Sequence, residues 1–347
     1  MTAQQDDKTL NLYPIDYPFE TLVSRINHEQ PKLILDPDFQ RKYKWDKGGW
    51  SRASRFIESC LMRIPLPSCY FAEDDERRHL VIDGVQRLTT ITRFFNDEFA
   101  LEGLTTFKNL EGKKFSELGE YQAELEATTI RCIVLRKENP KKLIREIFSR
   151  LNQGAVELSS QEIRHAIYPG KLDELLTELS KIPLIATFGL ADNATRTKDD
   201  REAEEQVLRF FAFHDKFDSY EGNLKEFLDN YMDDKTEIQE SETQHLRELF
   251  QSALNKCVSI FGETVFCDTT KQRAKQGLVY YDLLMPTVGI LEQSIVNTKA
   301  DRIRAAFITL CSSESFRKTM SSGLQKQSTI LRRRSLWKQL LESAIND

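Results

Sequence analysis

The hydrophobic pattern changes its period near residue 139, and this change most constrains what the chain can fold into. Before it, apolar runs such as His79 to Ile82 and Thr129 to Leu135 have strand character and alternate with helical segments. After it, nearly every segment repeats its apolar residues at helical spacing. The chain has 347 residues, which is long for one hydrophobic core. We therefore predict an α+β protein, with a small α/β core over residues 1–138 and a helical domain over residues 139–347.

The overall charge and composition exclude several classes of protein. The net charge of −5 disfavours nucleic-acid binding over the whole surface, because proteins that rely on phosphate contacts are usually basic. No run of about 18 apolar residues exists and the N-terminal stretch is polar, so we expect neither a membrane span nor secretion. The six cysteines lack metal or redox spacing, which is typical of reduced thiols in the cytoplasm. Two local basic patches remain: Arg136, Lys137, Lys141, Lys142 and Arg145, and then Arg332, Arg333, Arg334 and Lys338.

The most informative stretch is Asp83-Gly84-Val85-Gln86-Arg87. A buried strand ends at Asp83, Gly84 permits a tight turn, and a helix follows at once, so free amides and the positive helix end lie together. This arrangement predicts an anion site, and Arg87 can reach the same anion with a bidentate guanidinium. Asp83 is the candidate ligand for a divalent metal ion that also contacts phosphate oxygens.

Three further residues of this stretch have candidate roles. Gln86 can orient a water molecule, and the hydroxyls of Thr89 and Thr90 are available to phosphate or metal. The residues alone leave a structural alternative equally open, in which Asp83 caps the helix and Arg87 pairs with a carboxylate.

Two more stretches are candidates for a second cleft wall. In the first, from Phe39 to Trp45, aromatic and basic residues alternate in a way that suits stacking on a base. Packing of the aromatic rings on the core is the more frequent structure for such a stretch. In the second, one helix ends near Gly154 and another begins with a serine cap, a pattern that on its own favours a plain helical hairpin over a polar cleft. The candidate wall residues are Phe39, Gln40, Tyr43, Trp45, Arg150, Asn152 and Arg164.

Together and in this order, these stretches resemble the GmrS-type N-terminal domain of GmrSD modification-dependent restriction enzymes, which have a ParB/sulfiredoxin-like core. The resemblance covers about residues 15–170. The early Phe-Gln-Arg-x-Tyr-x-Trp and Ile-Pro-x-Pro patterns are matched by Phe39, Gln40, Arg41, Tyr43 and Trp45, and by Ile64, Pro65 and Pro67. The Asp-Gly-Gln-Gln-Arg-x-Thr-Thr signature is matched by Asp83, Gly84, Gln86, Arg87, Thr89 and Thr90. The last pattern is matched by Phe148, Leu151, Asn152, Gly154, Leu158, Ser159, Glu162 and Arg164.

The resemblance implies a core that binds a nucleoside triphosphate and hydrolyses it with Mg²⁺ or Mn²⁺. The implied catalytic residues are Asp83, Gln86 and Arg87, and the implied nucleotide-binding residues are the same three with Arg41, Gly84, Thr89 and Thr90. The implied partners are DNA, modified or unmodified, and a nuclease. Apolar stripes in the helical half leave a homodimer open.

The sequence departs from the family pattern in two places. Val85 replaces the first glutamine of the signature. If that glutamine positions the attacking water, we expect hydrolysis to be slow or lost while binding survives; if it reads modified DNA, we expect a different specificity. The five histidines form no His-Asn-His cluster, so we expect the nuclease on a separate subunit. The predicted function is that of a nucleotide-hydrolysing subunit of a restriction or anti-phage system. The alternatives are a nucleotide-switched DNA-binding module without turnover and a stand-alone metal-dependent DNase.

Overall fold

The structure, a computed structural model, describes residues 10–35, 43–151, 158–190 and 201–346. It contains two compact units, residues 1–158 and 159–347. The first unit holds a five-stranded sheet, and the second is helical throughout its regular elements. The predicted α+β architecture, with a sheet-containing part followed by a mainly helical part, is confirmed.

The first unit is built on a mixed sheet in the order β1-β5-β3-β4-β2. β1 pairs with β5 and β3 with β4 in antiparallel fashion, whereas β5 pairs with β3 and β4 with β2 in parallel. Its elements in chain order are β1 (Leu12–Pro18), α1 (Phe19–Asn27), β2 (Leu33–Ile34), α2 (Ser51–Leu61), β3 (Cys69–Glu73), β4 (His79–Asp83), α3 (Val85–Phe95), α4 (Glu120–Ala127), β5 (Thr129–Leu135) and α5 (Lys141–Leu151).

The core of this unit lies between the sheet and the helices that cover it. Phe71 and Val81 point into it from neighbouring strands, and Leu88, Ile91 and Phe94 meet them from α3 at helical spacing. All five side chains are almost fully buried. This packing fixes α3 against β3 and β4, and it therefore fixes the turn that joins β4 to α3.

A buried carboxylate holds the long connection between α3 and α4. Glu58 lies on α2, and its Oε1 accepts hydrogen bonds from the amides of Thr105, Thr106 and Phe107 at 2.9, 2.6 and 3.0 Å. Its Oε2 accepts a fourth, from the Thr105 hydroxyl, at 3.1 Å. The cluster satisfies a charge and several loop amides that would otherwise be buried without partners.

The helix α5 belongs to the first unit, although its helical period led us to expect it in the helical domain. Ile144 and Phe148 are buried, and α5 contacts β4. The units divide between Leu158 and Ser159. The period of the sequence reveals the helix but not the surface on which its apolar face packs.

The second unit is a set of helices around a central one, α9, which is buried on most of its surface from Glu204 to Phe213. At its last helix, the indole of Trp337 donates to the Thr287 hydroxyl at 2.8 Å. Within the described ranges, no helix reaches the length and apolarity that crossing a bilayer requires. The helices are α6 (Ser160–Ile167), α7 (Lys171–Leu179), α8 (Pro183–Ala186), α9 (Glu202–Asp215), α10 (Leu224–Asp234), α11 (Glu240–Phe261), α12 (Leu278–Val288), α13 (Gln293–Ser312), α14 (Glu314–Lys318) and α15 (Gln327–Asn346).

Candidate functional site

The turn between β4 and α3 has a backbone that favours glycine. Asp83 is the last residue of β4, Gly84 has a φ of 104°, and α3 begins at Val85. A Cβ atom built on Gly84 would lie 2.4 Å from Sγ of Cys69 on the adjacent strand β3. Both the left-handed conformation and the close approach of the sulfur therefore exclude larger residues at this position.

The guanidinium of Arg87 is held by its own chain. Its Nη2 donates to Oδ2 of Asp83 at 2.8 Å and to the carbonyl oxygen of Ser68 at 3.2 Å, and its Nη1 donates to the carbonyl oxygen of Pro67. The Arg87 side chain is 13% exposed, whereas that of Asp83 is 42% exposed. Arg87 thus ties the loop before β3 to the end of β4, and its donors point at these partners instead of at a surface anion.

The threonine hydroxyls of the signature are inside the unit. Thr89 and Thr90 are both buried. Thr90 donates to the carbonyl oxygen of Gln86 at 2.7 Å, so its hydroxyl accepts the phenolic proton of Tyr43, also at 2.7 Å. Burial raises the pKa of Tyr43, outweighing the hydrogen bond to Thr90 and the nearby Arg93 guanidinium, so this phenol keeps its proton.

The aromatic residues of the early stretch pack on the first unit. The ring of Tyr43 is buried, with the guanidinium of Arg93 at 4.7 Å from its centroid. Trp45 is half-buried against Phe56 of α2, with 5.4 Å between ring centroids. Protein atoms therefore cover the ring faces of Tyr43 and Trp45. For these two rings the structure shows packing on the core, not a free stacking surface.

The structure brings two motifs together at the first turn of α3. The backbone amide of Lys44 donates to Oε1 of Gln86 at 2.9 Å. Lys44 is exposed, and no ion pair of its ammonium group occurs among the described residues. The backbone of an exposed lysine is thus tied to the first turn of α3, whose N-cap residue, Gly84, offers the helix amides no side-chain cap. Lys44 is not among the site residues that we predicted from the sequence. The alternation of basic and aromatic residues around it was the pattern that could have indicated it.

The remaining candidates for the second cleft wall belong to other helices or lie outside the described residues. Arg150 is a surface residue of α5 that pairs with Glu146. Arg164 is 1% exposed within the second unit, where it donates to Asp229 at 2.7 Å and to Glu205 at 2.8 Å. Its burial gives it the role of joining α6, α9 and α10. Outside the described residues lie Phe39, Gln40, Arg41 and Asn152.

The serine cap predicted before Arg164 is confirmed. The hydroxyl of Ser159 accepts from the amide of Glu162, and the Glu162 carboxylate accepts from the amide of Ser159. This is the reciprocal capping box that a Ser-x-x-Glu spacing predicts.

Asp83 offers one carboxylate to a metal ion. Mg²⁺ commonly takes one or two carboxylates and completes its shell with substrate phosphates and water, so Asp83 fits an ion that arrives with a nucleotide. A group of three side chains close enough to share an ion lies in the second unit instead, at His165, Asp173 and Glu204. There Glu204 is already paired with Arg201 at 2.6 Å.

Comparison with known proteins gives one match. Residues 19–169 match the family model described as the GmrSD restriction endonuclease, N-terminal domain. The matched range contains the Asp83–Arg87 turn, Lys44 and the capping box of α6. Neither the curated proteins nor the solved structures gave a match.

Proposed function

Because residues 19–169 form a GmrSD-type N-terminal domain, we propose that the chain acts in restriction as a subunit that binds a nucleoside triphosphate at the first turn of α3. The observation that carries the proposal is the hydrogen bond from the Lys44 amide to Gln86. It ties the backbone of an exposed lysine to the first turn of α3, and in this proposal the ammonium group reaches from there to a polyphosphate bound at the amides of the helix start.

In this proposal the phosphates contact the amides at the start of α3 and the ammonium group of Lys44. Arg41, close to Lys44 in the chain, is a second proposed cation. Gly84 supplies the left-handed turn from which α3 starts without a side-chain cap over its amides. Gln86 acts by holding Lys44 over the helix end.

Asp83 is the proposed ligand of Mg²⁺ or Mn²⁺, which would arrive bound to the phosphates and would neutralise charge on them. Arg87 acts as a positioning residue, since its hydrogen bond to Oδ2 fixes the orientation of the Asp83 carboxylate. Positioning and charge stabilisation of this kind supply most of the catalysis in phosphoryl transfer.

A second candidate function is a nucleotide-switched module without turnover. Two observations favour it: the Asp83 carboxylate is paired with Arg87, and Val85 stands where the family signature has glutamine. Both candidates include DNA and a partner nuclease domain, in keeping with the family of restriction enzymes.

The test measures binding and turnover of the four common nucleoside triphosphates by the full chain. Binding is followed with a fluorescent triphosphate analogue, and turnover by phosphate release with and without Mg²⁺ and DNA. We expect Lys44→Gln to weaken binding at least about tenfold, because a close charge contact with phosphate is lost. Asp83→Asn should keep most of the binding affinity and lose the dependence of phosphate release on Mg²⁺.

Lys47→Gln is the matched control, since Lys47 is an exposed lysine of the same turn. Binding without phosphate release in the wild type would favour the switch over the hydrolase. The proposal is abandoned if the wild type binds no triphosphate, or if the Lys44 and Lys47 variants bind with equal affinity.

A further inference from the structure

The second unit contains a cavity of about 140 Å³ whose walls carry an excess of positive charge. Its charged lining residues are Arg209, Asp282, Arg333 and Arg334. They come from α9, α12 and α15, and they supply three guanidinium groups against one carboxylate.

The carboxylate of Asp282 is already paired with Arg209. Arg209 donates to both carboxylate oxygens of Asp282, from Nε to Oδ1 at 3.0 Å and from Nη2 to Oδ2. Arg209 is almost fully buried, and the carboxylate beside it raises its pKa against the opposing effect of burial. This pair is neutral, and it leaves two further guanidinium groups at the cavity.

Arg333 is buried on neutral oxygens. Its Nε donates to the Thr319 hydroxyl at 3.1 Å, and its Nη atoms donate to the carbonyl oxygens of Leu324 and Thr319 at 2.8 and 2.5 Å. These bonds fix the side chain but cancel none of its charge. Among the described residues, no carboxylate lies within ion-pair distance of it.

Arg334 has the most donor capacity left. Its guanidinium lies 3.4 Å from the ring centroid of Phe217 and makes a single hydrogen bond, at 3.4 Å, to the carbonyl oxygen of Phe213. Burial lowers its pKa to about 10, against the opposing charges of Asp282 and Asp218. A guanidinium has five N–H donors, and most of those on Arg334 are uncommitted within the described residues.

We infer that this cavity binds a phosphate group, held by Arg334 together with Arg333 and Arg209. A phosphate carrying two negative charges offers Arg333 and Arg334 the ion-pair partner that neither has among the described residues. The cavity is well below the roughly 300–1,000 Å³ of pockets for drug-sized ligands, so it takes the phosphate and not a whole nucleotide. The source is the free ion or the terminal group of a small phosphomonoester.

The test is calorimetric titration of the full chain with inorganic phosphate, in potassium chloride of constant ionic strength. Saturable binding to one site is expected, with an affinity that falls at least tenfold in Arg334→Gln. Arg332→Gln is the matched control, because Arg332 is the exposed neighbour in the same basic run. Its affinity should equal that of the wild type.

Circular dichroism and the urea midpoint establish whether the Arg334→Gln variant is folded. If it is not, Arg334→Lys replaces it, and loss of the planar fork should still weaken binding several-fold. A parallel titration with ribose 5-phosphate distinguishes the two sources by which ligand binds more tightly. Absence of saturable phosphate binding in the wild type overturns the inference, as does wild-type affinity in the folded Arg334 variant.

Discussion

Arg87 donates to Asp83 at 2.8 Å across the turn that joins β4 to α3, and the same guanidinium reaches back to the carbonyl oxygen of Ser68 ahead of β3. From the sequence we expected Arg87 to bind phosphate. In the structure its donors instead bind Asp83 and the carbonyl oxygens before β3. The first turn of the helix is contacted by the backbone amide of Lys44, an exposed lysine from a stretch about forty residues earlier in the chain.

Replacing Arg87 should destabilise the first unit. In Arg87→Met the loss of a charged hydrogen bond and of two bonds to loop carbonyls should lower the free energy of unfolding by about 2–3 kcal/mol. Urea denaturation gives the value. Arg78→Gln is the control, because Arg78 also pairs with a carboxylate four residues away but is 47% exposed, and such pairs contribute about 0.5 kcal/mol. Equal losses in the two variants would contradict the bracing role of Arg87.

A side chain at position 84 should be costly for two separable reasons. Gly84→Ala places a residue in the left-handed region and a Cβ atom against Cys69 Sγ. Gly112→Ala has the same backbone problem, with a φ of 76°, but nothing lies within 4 Å of its Cβ. We expect about 1–2 kcal/mol for Gly112→Ala, and at least about 1–3 kcal/mol more for Gly84→Ala from the steric overlap. In the Gly84→Ala, Cys69→Ala double variant, the combined loss should be smaller than the sum of the two single losses.

Removing the hydroxyl of Tyr43 tests whether this residue anchors the Lys44 segment. Tyr43→Phe deletes the buried 2.7 Å hydrogen bond to Thr90 and should cost about 1 kcal/mol of unfolding free energy. Tyr121→Phe, whose ring packs on Phe107 and whose hydroxyl makes no hydrogen bond within the described part of the chain, should change it by less than about 0.5 kcal/mol. Thermal unfolding of both variants and the wild type measures the two losses. Equal losses would show that the Tyr43 hydroxyl is not an anchor.

The buried carboxylate of Glu58 should make the first unit sensitive to acid. Burial alone would raise its pKa, but hydrogen bonds from Thr106, Phe107 and Thr105 outweigh burial and lower it from the ordinary value of 4.5. A carboxyl group with a lowered pKa in the folded state stabilises fully above its unfolded pKa, and this contribution is lost as the pH falls through the folded pKa.

Glu58→Gln should therefore lower the free energy of unfolding by about 2–3 kcal/mol at neutral pH. The glutamine side chain is neutral, and its NH₂ group is a donor placed among groups that also donate. The difference from wild type should shrink once the pH drops below about 4.5. Urea midpoints between pH 3 and pH 7 measure this, with Glu120→Gln as the exposed control. A difference that stays constant over the whole range would falsify the assignment.

The sequence predicted the strands and helices that carry a clear period, and it missed those that do not. Helices at Ser51 and Val85 and the strand from Thr129 to Leu135 lie where the apolar spacing placed them. The edge strand Leu12–Pro18 was not foreseen, because its residues are mostly half-exposed and two of them are prolines. The helix Leu278–Val288 is apolar on most sides and contains Pro286, so neither period nor composition marked it.

For the candidate site, the sequence indicated the turn but not the direction of its side chains. The strand–glycine–helix order is a local property, so Asp83, Gly84 and the helix start were foreseeable. Whether Arg87 faces solvent or Pro67 depends on β3 and the loop before it, which the local pattern does not contain. The contact between Lys44 and Gln86 is likewise long-range, and only the fold reveals it.

The sulfur beneath Gly84 has an evolutionary consequence. As long as the turn keeps its left-handed glycine in contact with Cys69, position 84 cannot carry a side chain unless residue 69 is smaller. Positions 69 and 84 should therefore covary among relatives, with a small residue at 69 wherever the turn is kept. A relative carrying a bulky residue at 69 would need a reshaped turn, and its ligand preference would be expected to differ.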